Sequence, residues 1–184
     1  LPAHSLKIGF HPLDFTQING EMNAMIIDRV IEILDLQKND SVLDLFCGLG
    51  NFTLPIAKKV RRATGVEASV EMVERARENA RNNNISNADF KVEDLYKAPL
   101  SGSWATDHHT KAMLDPPRTG ASEVIPLLTR LKLEKIVYVS CNPVTLARDA
   151  NILASNGYKL KSAGVMDMFP HTSHVESIAE FSPR

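Results

Sequence analysis

Apolar and polar positions along the chain fall into blocks that read alternately as helices and strands. From Glu21 to Leu36 the apolar residues Met22, Met25, Ile26, Val30, Ile33 and Leu34 recur at helical spacing, with Asn19 or Gly20 as the cap. That pattern predicts an amphipathic helix lying on a sheet. Val42–Phe46 follows as a buried strand, then a helix from about Asn51 to Lys59 and a short strand at Ala63–Glu67. Ser69 caps a charged helix with Glu71 in its first turn and Met72, Val73, Ala76 and Ala80 on one face, ended by Asn82-Asn83-Asn84. Further strands are expected at Asp89–Val92, Lys111–Leu114 and Lys135–Ser140, and helices at Ser122–Leu131 and Val144–Asn156. Lys97–Thr110, rich in Pro, Gly, Ser and His, is expected to be a long mobile loop. Lys159–Asp167 and His174–Ser182 are extended segments joined by a turn containing Pro170. Five strands alternating with helices, then two without, predict an α/β fold. Its sheet is doubly wound, mostly parallel, seven-stranded, and ends in an antiparallel hairpin.

Composition narrows this picture. The 184 residues fit one domain, and 43% hydrophobic with 23% charged residues is ordinary for a soluble chain. No apolar run approaches the roughly 18 residues of a membrane span, so no membrane association is expected. The opening LPAHSLKIGFHP has neither a signal pattern nor an initiator methionine, which reads as an excised domain with sequence upstream. Two sparse cysteines, Cys47 and Cys141, suit a reducing compartment, and the expected location is the cytoplasm. A formal net charge of −1 argues against tight nucleic-acid binding by this chain alone. If the substrate is RNA, positive charge must be local, as at Lys58-Lys59 and Arg61-Arg62, or be supplied by other domains; a solvated helix end explains that run equally well.

The candidate chemistry lies where the predicted strands end, because ligands of such sheets bind outside the carboxyl ends of the strands. Ser41–Phe52, SVLDLFCGLGNF, places one acid, Asp44, in an apolar run before a glycine turn; Gly48 and Gly50 let a ligand approach the backbone, and Asn51 begins the next helix. A dinucleotide fingerprint would need a glycine where Thr53 stands. The stretch Asp44-Leu45-Phe46-Cys47-Gly48-Leu49-Gly50 instead resembles the first motif of Rossmann-like S-adenosylmethionine-dependent methyltransferases. Glu67, 23 residues after Asp44, has the spacing of a ribose-binding acid, though it could instead cap the helix at Ser69. Asp94 could receive an adenine amino group or be an exposed turn aspartate. Asp115-Pro116-Pro117 is similar to the motif that grips a planar amine in amino-group methyltransferases, but Arg118 replaces the aromatic residue expected next. Cys47 is assigned to packing. Cys141 should emerge beside the cofactor at a helix start, where the helix dipole would lower its pKa and make it a nucleophile. His171 and His174 lack a credible third ligand, so no metal is assigned.

Taken together, Phe15-x-Gln17-x-Asn19, DLFCGLGNF, LDPPRTG, YVSCNP with Thr145-Leu146-Ala147-Arg148-Asp149, and DMFPHTSHVES resemble the RNA uracil-5-methyltransferase family, nearest the branch acting on 23S ribosomal RNA. The resemblance runs along essentially the whole chain. It implies residues 1–184 as one methyltransferase catalytic domain, expected to be monomeric, with residues 1–20 a lead-in that contributes to the cofactor site. It implies Cys141 as the nucleophile and Glu176 as the base; from the residues alone, Glu176 reads as a surface ion-pair glutamate. It also implies Gln17, Phe46, Asn51, Glu67, Asp94 and Asp115 as the S-adenosylmethionine site, with Gln17 and Asp115 near enough to touch the base. An oligonucleotide-binding-like domain and a four-cysteine iron–sulfur module are expected upstream. Two other readings stand beside it: an amino-group or small-molecule methyltransferase, and a catalytically idle, cofactor-binding RNA-docking module.

Overall fold

The apolar run at Ser41–Leu45 forms a strand, β1, buried along its whole length. The structure is a computed structural model and describes residues 1–12, 14, 19–97, 100, 102–167 and 175–184. The other strands are β2 (Arg62–Glu67), β3 (Ala88–Val92), β4 (Lys111–Leu114), β5 (Lys135–Ser140), β6 (Tyr158–Asp167) and β7 (Val175–Pro183). The helices are α1 (Gly20–Leu34), α2 (Thr53–Ala57), α3 (Val70–Asn82), α4 (Ile125–Arg130) and α5 (Pro143–Ser155). The strands make one sheet in the order β3-β2-β1-β4-β5-β7-β6. β1 to β5 run parallel, and β7 is antiparallel to both β5 and β6. The expected seven-stranded, mostly parallel sheet with an antiparallel end is therefore the observed one.

Side chains alternate across the sheet, as strand geometry requires. Val42 joins Ile27, Val30 and Leu34 of α1 with Met113 and Val137 in one cluster, while Leu43 and Leu45 join Leu114, Leu128, Ile136, Tyr138 and Leu153 in another. Burying each such Val or Leu contributes about 1.5–3 kcal/mol. The helix starts follow local chemistry: Asn19, Ser69 and Asn142 each cap a helix by accepting an amide, from Met22 (3.1 Å), Met72 (3.2 Å) and Val144 (3.1 Å). α1 stops at Leu34, two residues before the expected end, because Asp35 turns left-handed at φ 50°. α2 and α4 are shorter than their apolar runs suggested, and α4 starts late because Pro126 sits in its first turn.

The 97–110 loop departs from expectation. Among its described residues, Trp104 is fully buried and its indole N–H donates to the Glu93 carboxylate, while the His109 Nε2 pairs with the Trp104 carbonyl at 3.0 Å. One large aromatic anchors the segment, which the Pro, Gly, Ser and His content concealed. No helix among the described residues is long and apolar enough to cross a membrane.

The parallel strands leave β1 in both directions, toward β2 and β3 on one side and β4 and β5 on the other. That reversal puts the crevice of the fold at the carboxyl ends of β1 and β4. Asp44, Asp115 and Cys141 stand at or just beyond the ends of β1, β4 and β5.

Candidate active site

At the end of β1 the chain turns sharply. Phe46 takes φ 64°, unusual for a residue with a side chain, and Gly48 and Gly50 take φ 53° and 86°. The Gly50 N–H closes the turn on the Cys47 carbonyl at 2.9 Å. Cys47 packs inward with Leu54, Val73 and Phe90, which agrees with its assignment to packing, and burial raises its pKa well above the ordinary thiol range. Beneath the turn, Asp44 accepts a short hydrogen bond from the Thr53 hydroxyl, and its second oxygen is buried without a partner. Burial pushes Asp44 up to about 7, with the Glu67 charge adding and the Thr53 bond opposing.

Glu67, at the end of β2 and outside the cleft lining, takes the helix-capping role of the two its spacing left open and adds a bond to the glycine turn. Its Oε1 accepts the amides of Ala68 (2.8 Å) and Ser69 (3.1 Å) at the start of α3, and its Oε2 accepts the Gly48 amide at 3.2 Å. The carboxylate thus ties the helix start to the glycine turn. Asn51 forms a reciprocal amide pair with Asn23 of α1, both bonds 2.9 Å.

These elements frame a cleft of about 280 Å³ lined by Phe46, Gly48, Asn51 and Asp115, together with Asn23 and the apolar walls Ile8, Phe10 and Met72. Ligand sites commonly start near 300 Å³, and this open cleft lies close to that lower bound. Ile8 and Phe10 belong to the lead-in expected to contribute to this site. Asp94 lies outside the cleft lining, in the turn after β3. It accepts the Tyr96 amide (3.0 Å) and pairs with Lys97 (3.1 Å), and these partners hold its pKa low. Tyr96 in turn places its ring 5.7 Å from that of Phe46. Gln17 lies outside the described residues, as do Phe15, Pro170, His171 and His174. Among the described residues no three His, Cys, Asp or Glu side chains form a metal-binding group.

Around Asp115, which lines the cleft, four side chains from three strand ends influence one another: Asp115, Arg118, Cys141 and Glu176. Asp115 is pushed up to about 8 by burial, then by Glu176 and Asp44. Burial also raises Glu176 on β7, with Arg118 opposing. The Cys141 thiol is raised as well, by burial first and Glu176 second, with Arg118 again opposing. The expected lowering of this pKa by the helix dipole is therefore not what the surroundings produce. Cys141 stands one residue before the Asn142 cap, and burial beside two acids outweighs the helix end.

Sequence reading missed three residues that shape this site. Asn23 interrupts the apolar face of α1. Asn79 is buried in α3, where its side chain binds both the Gly9 amide (2.7 Å) and the carbonyls of Gly9 (3.1 Å) and Leu49 (3.3 Å). It holds the lead-in against the glycine turn. A polar residue inside an apolar helical stripe was the available signal for both. Tyr96 had no such signal.

S-adenosylmethionine fits these residues. Phe46, Ile8, Phe10 and Met72 offer an apolar wall, Glu67 holds a carboxylate against the Gly48 amide beside that wall, and Asp115, whose ionisation burial opposes, stands where a cationic ligand would favour the carboxylate form.

Comparison with known proteins agrees with this geometry. The family described as tRNA (Uracil-5-)-methyltransferase matches residues 7–181. The chain is similar to the 23S rRNA (uracil(1939)-C(5))-methyltransferase RlmD of Alcanivorax borkumensis, 53% identical over 98% of this chain and 40% of that protein. RlmD of Methylococcus capsulatus is 54% identical over 98% of this chain and 41% of that protein. The chain thus spans about two-fifths of the length of these relatives. Among solved structures, the tRNA (uracil-54, C5)-methyltransferase of Pyrococcus abyssi with S-adenosyl-L-homocysteine superposes with a TM-score of 0.79 at 33% identity, covering 94% of this chain and 41% of that one. Magnesium protoporphyrin IX methyltransferase from Synechocystis, with SAM bound, shares the fold alone: TM-score 0.72 and 20% identity over 96% of this chain and 87% of that one. With the strand ends of β1, β4 and β5 gathered at one crevice and a family match over residues 7–181, the chain belongs to the tRNA (uracil-5-)-methyltransferase family.

Proposed function

We propose that this chain is the catalytic domain of an S-adenosylmethionine-dependent enzyme that methylates carbon 5 of a uridine in RNA, with 23S ribosomal RNA as the substrate. The observation that carries the reading is that a thiol, Cys141, and a carboxyl raised by burial, Glu176, act electrostatically on each other and on Asp115, which lines the cleft. The RlmD relatives, named for a uracil of 23S rRNA, support the choice of substrate.

The bound cofactor supplies an electrophilic methyl group. Carbon 5 of uracil is too weak a nucleophile to take it directly, so Cys141, as the thiolate, adds to carbon 6. The carbon 5–carbon 6 double bond opens and its electrons pass to the O4 enolate. Carbon 5 is then nucleophilic and accepts the methyl group. Glu176 removes the remaining proton from carbon 5; the double bond re-forms, the carbon–sulfur bond breaks, and the thiolate is released. Burial, by raising Glu176 above an ordinary carboxylate, makes it the stronger base this step needs. Arg118 favours the thiolate. Gln17, Phe46, Gly48, Asn51, Glu67, Asp94 and Asp115 are assigned to holding the cofactor.

An amino-group methyltransferase would have no use for Cys141, and an idle docking module would have none for Cys141 and Glu176 together. The expected iron–sulfur module is not built from this chain, which has two cysteines, one of them packed in the core. It is assigned, with most phosphate contacts, to the part of the longer relatives that this chain does not span. We place the protein in the cytoplasm as a monomer. Mass spectrometry of the full-length enzyme, incubated with cofactor and RNA carrying 5-fluorouridine, tests the reading. An adduct at Cys141 is expected, because fluorine in place of the carbon 5 proton blocks release. Methylation of ordinary RNA with no adduct at Cys141 would refute the mechanism.

A further inference from the structure

The loop from Asp115 to Ala121 carries both Asp115 and Arg118, and it is gripped from two sides. On one side stands α5. Asn142 Nδ2 and the Thr145 hydroxyl donate to the Arg118 carbonyl at 3.0 and 3.2 Å, and Arg148 donates to the Thr119 carbonyl at 2.8 Å. The fully buried Asp149 accepts the Ala121 amide and the Tyr138 hydroxyl, both at 2.6 Å. Gly120 sits at φ 83° against this helix, where a Cβ would come within 2.5 Å of Arg148 and 2.6 Å of Asp149. Of that half of the grip, the Asp149 bonds are built into the core, while those of Asn142, Thr145 and Arg148 lie at the surface.

On the other side stands Tyr96. Its hydroxyl lies 2.8 Å from both the Thr119 hydroxyl and the Gly120 carbonyl. A phenol has one proton, and a carbonyl can only accept, so Tyr96 donates to Gly120 and accepts from Thr119. The rest of Tyr96 belongs to the cofactor side. Its amide is held by Asp94, and its ring packs 5.7 Å from Phe46 at a tilt of 48°. Phe46 is itself aimed by its left-handed backbone at the end of β1. One side chain therefore touches a wall of the cofactor cleft at its ring and the loop of the base site at its hydroxyl.

We propose that Tyr96 is a positioning residue that couples the two sites, so that filling the cofactor cleft sets the loop bearing Asp115 and Arg118 for the uridine, and the uridine in turn tightens the cofactor. The inference rests on the proposed uridine methylation. Coupling of this kind is reciprocal and typically amounts to about 5- to 150-fold in affinity.

The test uses the full-length enzyme and Tyr96→Phe, which keeps the ring on Phe46 and removes only the hydroxyl. S-adenosylhomocysteine affinity is measured by calorimetry with and without substrate RNA, alongside kcat and KM for methyl transfer. In the unaltered enzyme, RNA should tighten S-adenosylhomocysteine by at least about fivefold. Tyr96→Phe should bind it without RNA within about twofold of the unaltered enzyme, lose most of the RNA-dependent tightening, and show a kcat about tenfold lower at little-changed cofactor KM. Thr119→Val, on an exposed residue, removes the donor to Tyr96 and should show a smaller loss of the same kind. Full coupling and kcat in both variants, no coupling in the unaltered enzyme, or an equal loss of affinity with and without RNA would each overturn the proposal. The last outcome would make Tyr96 a plain wall of the cleft. Absence of uridine methylation by the unaltered enzyme would instead remove the functional reading on which the proposal stands.

Discussion

Replacing Glu67 separates its two roles, because the structure gives each oxygen a different task. Three backbone amides, from Gly48, Ala68 and Ser69, point at this carboxylate. A hydrogen bond to a charged group is worth about 1.5–3 kcal/mol, but two of these three exceed 3.0 Å and the residue is only partly buried, so water replaces part of what is lost. A net cost of about 2 kcal/mol for Glu67→Ala follows, a fall of about 4–8 °C in Tm for a domain of this size. An acid that served only a ligand would leave the fold untouched when removed; the bond from the Gly48 amide gives Glu67 a structural role as well. Glu67→Gln keeps an acceptor for one side of the clamp and should cost about half as much. Both variants lose the charge that a ribose diol would bond, so S-adenosylhomocysteine should bind about 10- to 100-fold more weakly in each. Calorimetry and thermal unfolding, run on the same preparations, read the two effects apart. An unchanged Tm for the alanine variant would refute the clamp, and an unchanged affinity in both would take Glu67 out of the cofactor site.

Asp44, pushed to about 7, and Asp115, pushed to about 8, by burial bind protons more tightly in the folded chain than at the ordinary value near 3.9. Stability from these groups is therefore full below about pH 4 and is lost as pH rises toward 8; Asp44→Asn should flatten that fall in a Tm-against-pH series, and an unaltered slope would contradict it. With its net charge of −1, the chain alone should bind S-adenosylhomocysteine but hold RNA weakly, with a shallow dependence on salt in a filter-binding titration; tight, steeply salt-dependent binding would disprove this. In the full-length enzyme, Cys141→Ala should abolish methyl transfer and covalent complex alike, whereas Glu176→Gln should methylate and then stall with RNA attached to Cys141. Denaturing gels distinguish the two, and normal turnover of the glutamine variant would mean that another group is the base.

How much of this was legible in the sequence depended on whether a residue acts through its neighbours in sequence or in space. The strands read correctly because buried parallel strands are continuous apolar runs; β4 and β5 agree with their expected bounds residue for residue. The caps at Asn19 and Ser69 are local chemistry and were equally visible. Motif spacing located the strand ends that meet at the crevice. What could not be read was the environment each end acquires. The thiol at 141 sits near a helix start, which in sequence suggests a lowered pKa, but the acids that raise it come from β4 and β7, 26 residues before and 35 after it. Asn79 and Tyr96 are long-range in the same way, since their partners are 70 and about two dozen residues distant. The anchoring of the 97–110 loop turns on one tryptophan whose pocket is built by other strands.

The residue after the proline pair shows what that environment does for the proposed chemistry. In an amine-directed site an aromatic side chain there would stack on the planar amine; here Arg118 supplies charge instead. Burial, Glu176 and Asp115 all oppose ionisation of Cys141, and Arg118 is the cation acting against them. The same guanidinium opposes the rise that burial gives Glu176. Asn142, the residue after Cys141, and Thr145 hold the Arg118 carbonyl from the start of α5, so the main chain of Arg118 and the thiol are tied to a single helix start. Those bonds go to main chain and would survive an aromatic side chain at 118. The loop could keep its shape with either residue; the charge is what a thiolate requires, and an amine-directed site has no use for it.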